Sequence, residues 1–276
     1  MLLSFLKMQG TGNDFMIVDA RELAIEPLTA EQVRRLADRR RGVGFDQLLW
    51  ISAARDDGTE AFYRIFNADG SEVEQCGNGA RCVAWVIGQD GASDTVFRLG
   101  SPAGTIDVQM LDDNLVAVCM GQPQFSPEQI PFVAEAEAPL YDIEVAGTSV
   151  TAAVVSMGNP HCVVQVEDVQ QAPVNELGPK LEQHPRFPQR SNVGFMAVRD
   201  RQNIDLRVFE RGVGETLACG TGACAAVVAA QRQQQLDPEV RVTLPGGQVV
   251  VSWYGNEAPV WLTGDVQLTY EGTLDL

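Results

Sequence analysis

The sequence predicts an α+β fold of two pseudo-symmetric lobes, each a curled, mostly antiparallel sheet around a central helix. Three observations carry this. A cysteine-glycine turn opening a small-residue helix occurs twice, at Gln75-Cys76-Gly77-Asn78-Gly79-Ala80 and at Ala218-Cys219-Gly220-Thr221-Gly222-Ala223. The offset between the two cysteines, 143 in the numbering, also separates Arg64 from Arg207, Arg98 from Arg241, Pro102 from Pro245 and Gly121 from Gly264. Short runs of strand character surround both helices, and the alanine-rich second one, Ala225–Ala230, suits close enclosure by strands. The period is far too long for a solenoid, so we read one internal duplication rather than an array.

Taken in order, Leu3–Met8 reads as a strand, Gly10-Thr11-Gly12-Asn13 as a turn and Phe15–Val18 as a second strand. Thr29 with Gln32 forms a capping box for a helix running to about Arg39, with Gly42 as its stop. Arg39-Arg40-Arg41 reads as a solvated helix end. Strands are expected at Gln47–Ser52 and Phe62–Phe66. Then come the Cys76 turn, a helix to about Ile87, and strands at Thr95–Leu99, Gly104–Leu111 and Leu115–Cys119. Gly121–Pro139, with four prolines, reads as a linker.

The pattern then restarts. Strands are expected at Leu140–Val145, Thr148–Ser156 and His161–Val166, with a turn Gly158-Asn159 matching Gly12-Asn13 at an offset of 146. A short helix near Asn175–Gln183 leads to Asn192-Val193-Gly194-Phe195, which echoes Gly42-Val43-Gly44-Phe45. The expected lobes are residues 1–119 with 265–276, and residues 120–264.

Composition narrows the function. A net charge of −17 over 276 residues repels phosphate backbones and anionic membrane surfaces, so neither nucleic acid nor membrane is an expected partner. No signal-like start and no apolar run of membrane-spanning length occurs, so a cytoplasmic setting is expected. Six cysteines in such a chain are expected as thiols. Cys82, Cys119, Cys162 and Cys224 read as core residues, and His184 as a surface-loop residue.

Cys76 and Cys219 differ from those four. Each stands at a predicted helix N-terminus, where free N–H groups and the helix dipole favour a thiolate. If the two turns face one cleft, one thiolate removes a proton from a carbon stereocentre and the opposite thiol returns one to the other face. Asn13, Asn67, Asn78, Asn159 and Asn192 lie in turns expected to line that cleft, and Glu210 with Arg211 places a charged pair beside Cys219. Competing readings are weaker. Zinc needs four ligands at short spacing, and Cys76/Cys82, Cys219/Cys224, His161 and His184 do not supply it. A phosphate loop lacks its GxxxxGK[ST] signature. A pyridoxal-phosphate enzyme needs a Schiff-base lysine, and the only lysines, Lys7 and Lys180, lie outside the repeated motifs. A dithiol redox protein or an amino-acid-binding protein remains open on the residues alone.

The strings Gly10-Thr11-Gly12-Asn13-Asp14-Phe15, Asn67-Ala68-Asp69-Gly70-Ser71, Gln75-Cys76-Gly77-Asn78-Gly79-Ala80-Arg81-Cys82, Gly158-Asn159-Pro160-His161 and Glu210-Arg211-Gly212-Val213-Gly214-Glu215-Thr216 resemble the diaminopimelate epimerase family over nearly the whole length. The resemblance implies interconversion of LL- and meso-diaminopimelate without cofactor or metal, in lysine and cell-wall precursor synthesis. It implies Cys76 and Cys219 as acid/base thiols, and His161 and Glu210 as residues that tune them. Asn13, Gln47, Asn67, Gly77, Asn78, Asn159, Asn192, Glu210, Arg211, Gly220 and Thr221 match the family's substrate contacts. It further implies a homodimer with Tyr270 at the contact. Related proline racemases and hydroxyproline epimerases are the alternative.

Overall fold

A computed structural model describes residues 2–23, 25–73, 77–89, 96–112 and 114–275. Two compact units emerge: Met1–Cys119 with Thr263–Leu276, and Met120–Leu262.

The first unit begins with β1 (Leu2–Gly10) and β2 (Asn13–Asp19), an antiparallel hairpin. Its two-residue loop holds Thr11 at φ 49° and Gly12 at φ 86°. Helix α1 (Ala30–Ala37) follows, then β3 (Gln47–Ser52), β4 (Ala61–Asn67), β5 (Glu72–Val73), α2 (Gly77–Gly88), β6 (Val96–Ser101), β7 (Gly104–Asp112) and β8 (Leu115–Cys119). The capping box is present, Thr29 N–H donating to Gln32 Oε1 at 2.8 Å and Gln32 N–H to Thr29 Oγ1 at 3.3 Å. The helix stops at Ala37, short of Arg39, because Asp38 turns the chain by accepting from the Arg40 and Arg41 N–H groups.

The second unit runs β9 (Tyr141–Val145), β10 (Thr148–Ser156), β11 (Pro160–Gln165), α3 (Val174–Glu182), β12 (Asn192–Asp200), β13 (Asn203–Glu210), β14 (Gly214–Thr216), α4 (Gly220–Arg232), β15 (Glu239–Leu244) and β16 (Gly247–Ser252). Strand β17 (Trp261–Asp265) leads to β18 (Gln267–Asp275), which pairs antiparallel with β1 of the first unit.

The pairing sequence is the same in both units. The pairs β1–β2, β3–β4, β4–β5 and β6–β7 are antiparallel, while β2–β3 and β4–β6 are parallel. So are β10–β11, β12–β13, β13–β14 and β15–β16 antiparallel, with β11–β12 and β13–β15 parallel. Each parallel pair needs a crossover, and the central helix is one of them. Helix α2 and strands β6 and β7 start at positions 77, 96 and 104; α4, β15 and β16 start at positions 220, 239 and 247, which is the cysteine offset each time. The expected duplication and mostly antiparallel architecture therefore hold.

Both central helices are enclosed. In α2 every residue from Asn78 to Ala84 is buried, and in α4 every residue from Gly222 to Ala230. Helix α4 packs with Val155, Val163, Leu206, Val208, Val242 and Val251 in one core. The alanines are needed because strands surround the helix. No helix among the described residues is long and apolar enough to cross a membrane.

Two expectations need correction. The stretch 121–139 is not a free linker: Ile130 is fully buried, Phe132 stacks with Tyr141 and Phe187 at 4.8 Å, and Gln124 bridges Ser156. Its prolines keep it irregular, while its apolar residues seat it in the second unit's core. Arg39 is likewise more than a solvated helix end. It donates to Asp14 at 2.7 and 2.8 Å and to Asp46 at 2.8 Å. Burial alone would raise the Asp14 carboxyl, but Arg39 and Lys7 bring it down to about 2. Cys82, Cys162 and Cys224 are core thiols, and burial pushes Cys162 up to about 12. Cys119 is half-buried. His184 lies in the loop after α3, partly exposed, its Nε2 3.1 Å from the Glu144 carbonyl.

Candidate active site

The chemistry-bearing residues collect at one end of each unit, and the topology explains why. Strands β2 and β3 start at the end where β4 stops and α2 begins. Asn13 opens β2, Gln47 opens β3, Asn67 closes β4, and Gly77 and Asn78 open α2. In the second unit Asn159 precedes β11, Asn192 opens β12, Glu210 closes β13, and Gly220 and Thr221 open α4. The register confirms the neighbours: Gln47 pairs with Asn67, and His161 with Asn192.

In the first unit the amides interlock. Asn78 Nδ2 donates to Asn13 Oδ1 at 2.8 Å, and Gln47 Nε2 donates to Asn67 Oδ1 at 3.0 Å. Gln47 Oε1 is buried with no hydrogen-bond partner among the described residues, which leaves an acceptor beside Asn67. Cys76 lies outside the described residues.

The second unit holds Cys219 at the N-cap of α4, 6% exposed, with φ −134° and ψ 108°. Its Sγ lies 3.5 Å from Thr221 Oγ1 and meets the Gly222 N–H and the Glu210 carboxyl. Glycine keeps the space beside the thiol open at 222: a Cβ there would sit 3.2 Å from Cys219 Sγ and 3.1 Å from Val208 Cγ2, so those neighbours would have to give by a few tenths of an ångström. Asn159 Nδ2 donates to Thr221 Oγ1 at 3.4 Å, and Asn159 Oδ1 lies 2.9 Å from His161 Nε2. A chain of polar contacts thus runs from His161 through Asn159 and Thr221 to the thiol. Asn192 Oδ1 accepts from the Arg211 N–H at 3.0 Å, and Arg211 Nη1 donates to the Gln189 carbonyl at 3.0 Å.

The expected thiolate at Cys219 is corrected by its surroundings. Burial raises the thiol well above the ordinary range, and Glu210 adds to this. The Thr221 hydroxyl and Gly222 N–H pull the other way without winning. Burial also raises Glu210, opposed by bonds from Thr216 Oγ1 at 2.5 Å and from Cys219. Cys219 and Glu210 are therefore a coupled pair that resists carrying two negative charges. A cation brought to Glu210 would relieve that resistance and free the thiol to ionise.

His161 is 1% exposed, and burial, with the Arg211 charge second, pushes it down to about 3 from 6.5. It is neutral. A depressed folded value makes the unfolded chain the better proton acceptor, so this contribution to stability is complete above about pH 6.5 and drains away as pH falls toward 3. Urea unfolding at pH 7 and pH 5 is expected to show a smaller loss for His161→Gln than for the parent. Equal losses would contradict a neutral buried imidazole.

Sequence reasoning missed three supporting residues. Arg81 in α2 is fully buried and donates to Asn78 Oδ1 and Thr11 Oγ1. Asp46 accepts from Asn13 Nδ2 at 3.3 Å. Glu182 of α3, 3% exposed, accepts from the Gly212 N–H at 2.8 Å and holds the turn carrying Arg211. The visible signal for Arg81 was a charge inside a small-residue helix. Tyr270 lies on β18 opposite Lys7, 43% exposed and edge-on to Phe5 at 6.0 Å.

Comparisons with known proteins follow the same division. The chain is similar to a phenazine biosynthesis protein of the PhzF family from Bacillus anthracis, with TM-score 0.69 and 18% identity over 100% of both chains. It is also similar to a hydroxyproline epimerase from Agrobacterium vitis with bound trans-4-hydroxy-L-proline, with TM-score 0.66 and 17% identity over 99% of this chain and 92% of that one. At those identities the likeness is one of fold. Sequence relatives are nearer: the diaminopimelate epimerases of Laribacter hongkongensis (strain HLHK9) and Azotobacter vinelandii (strain DJ / ATCC BAA-1303) are each 52% identical over 279 residues, covering 100% of both chains. The family profile described as Diaminopimelate epimerase matches residues 5–126 and 153–269. With both halves of the duplication inside that match, the chain belongs to the diaminopimelate epimerase family.

Proposed function

We propose that the chain is a cofactor-independent diaminopimelate epimerase that interconverts LL- and meso-2,6-diaminopimelate, serving lysine and peptidoglycan precursor synthesis. The observation that carries the reading is the Cys219 thiol, sealed at the N-cap of an enclosed helix and coupled to Glu210. Cys219 and Cys76 are the two bases. One thiolate takes the α-proton and becomes a thiol; the electron pair stays on the α-carbon, conjugated with the carboxylate; the other thiol then gives its proton to the opposite face. The α-ammonium of the substrate, set against Glu210, supplies the cation that lets Cys219 ionise. Helix N–H groups at Gly77 and Asn78, and at Gly220 and Thr221, suit the carboxylate on which charge builds. His161 tunes the thiol through Asn159 and Thr221. Asn13, Gln47, Asn67, Asn159, Asn192 and Arg211 orient the rest of the substrate.

Incubation in D₂O with LL-diaminopimelate, proline and hydroxyproline, read by NMR at the α-carbon, tests this. Deuterium is expected in diaminopimelate alone, with meso product accumulating. Exchange into proline or hydroxyproline would favour the related racemases, and none into any of the three would remove the epimerase. A cytoplasmic homodimer using the Tyr270 face belongs to the same proposal, and a one-chain mass in sedimentation velocity would remove that part.

A further inference from the structure

Asn13 and Asn78 are joined to each other, and the groups at their two far ends differ in kind. At one end is Arg81, whose guanidinium only donates. Its Nη2 reaches Asn78 Oδ1 at 2.9 Å. At the other end is the carboxylate of Asp46, which only accepts. Its Oδ2 takes Asn13 Nδ2 at 3.3 Å, while its Oδ1 is held by Arg39 at 2.8 Å. Between them, Asn78 Nδ2 donates to Asn13 Oδ1 at 2.8 Å. A carboxamide keeps nearly the same shape when its oxygen and nitrogen trade places, so shape does not set its orientation; its partners do. With a pure donor at one end and a pure acceptor at the other, only one direction satisfies every link.

We infer that Arg81 and Asp46 are positioning residues that polarise the Asn78 and Asn13 amides in one direction, so that each turns a spare N–H, rather than a lone pair, toward the substrate. Two further features support a built device. The guanidinium lies in a slot shaped by glycine: a Cβ at Gly264 would come within 2.3 Å of Nη1 and 2.7 Å of Cζ. The same Nη2 also donates to Thr11 Oγ1 at 2.8 Å. Thr11 is a β-branched residue held in the left-handed region, a conformation that needs an outside tether. It sits two residues before Asn13. One buried cation therefore fixes both the turn that presents Asn13 and the amide that meets it. The spare N–H groups suit a carboxylate and repel an ammonium group.

The inference rests on the epimerase reading only for its kinetic consequence. Asp46→Asn is the decisive variant, because the side chain is 42% exposed and its replacement keeps the shape while supplying a donor. Two readouts are expected to move. The side-chain amide NMR signals of Asn13 and Asn78 shift in the ligand-free protein, and KM for LL-diaminopimelate rises about tenfold with kcat within about twofold. Arg81→Lys, which keeps a pure donor, is expected to retain more of the wild-type pattern than Arg81→Met. If Arg81→Met does not fold, Asp46→Asn still decides. Unmoved amide signals overturn the polarised chain. Moved signals with unchanged KM overturn its role in positioning. A wild-type protein that exchanges no α-proton removes the epimerase reading, and the amide signals still judge the chain.

Discussion

Cys219→Ala is expected to lower epimerisation by about 10³-fold, because a positioned acid/base group contributes roughly 10²–10⁴. Cys76→Ala is expected to do the same. The melting temperature should stay within a few degrees, since removing one small sulfur from a site lined by Val208 and Gly222 leaves little empty volume. Each variant has a second signature: the surviving thiol still exchanges the α-hydrogen of one stereoisomer with solvent, returning it to the same face without inversion. Near-wild-type turnover by either variant would sink the two-base mechanism. Loss of turnover together with loss of the folded state, seen as a collapsed near-UV spectrum, would leave only a structural role for that cysteine.

Gly264→Ala carries the second large effect, on stability. Its Cβ would lie 2.3 Å from Arg81 Nη1, and the guanidinium cannot retreat because it is fully buried and tied to Asn78 and Thr11. Overpacking of this kind costs about 1–3 kcal/mol, on the order of 2–4 °C in melting temperature per kcal/mol for a chain of this size. A clear downward shift in calorimetry is expected, with a raised KM as the amide chain is disturbed. An unchanged melting temperature would show that the slot is looser than its geometry implies.

How much of this was legible in the residues varies with the physics behind each feature. The duplication was legible because a duplicated chain keeps its spacing, and one offset recurs in motif and element alike. The Thr29–Gln32 capping box was legible because its chemistry is local. The packing of 121–139 was hidden, since four prolines announce irregular backbone and say nothing of where Ile130 and Phe132 go. The state of Cys219 was hidden for a related reason. A helix N-terminus can be read from a string of residues, but burial and the approach of Glu210 depend on the fold, and these reverse the expected direction. Arg81 was visible as an odd charge, yet its meaning depends on Thr11 and on Gly264, the latter near the far end of the chain.

That long separation shapes the order in which the protein is made. The first unit takes its last pieces from the end of the chain: β18 pairs along the length of β1, the Val266 N–H donates to the Asn114 carbonyl at 2.9 Å, and Gly264 lines the Arg81 slot. The second unit, 120–262, draws on one continuous run. During synthesis, the half begun first is therefore finished last. Until β18 is available, the edge of β1 that it covers is an open backbone edge, which is the usual invitation to aggregate. In a nascent chain, the strands of the unit that carries Cys219 are all made before β18 is available to the unit that carries Asn78.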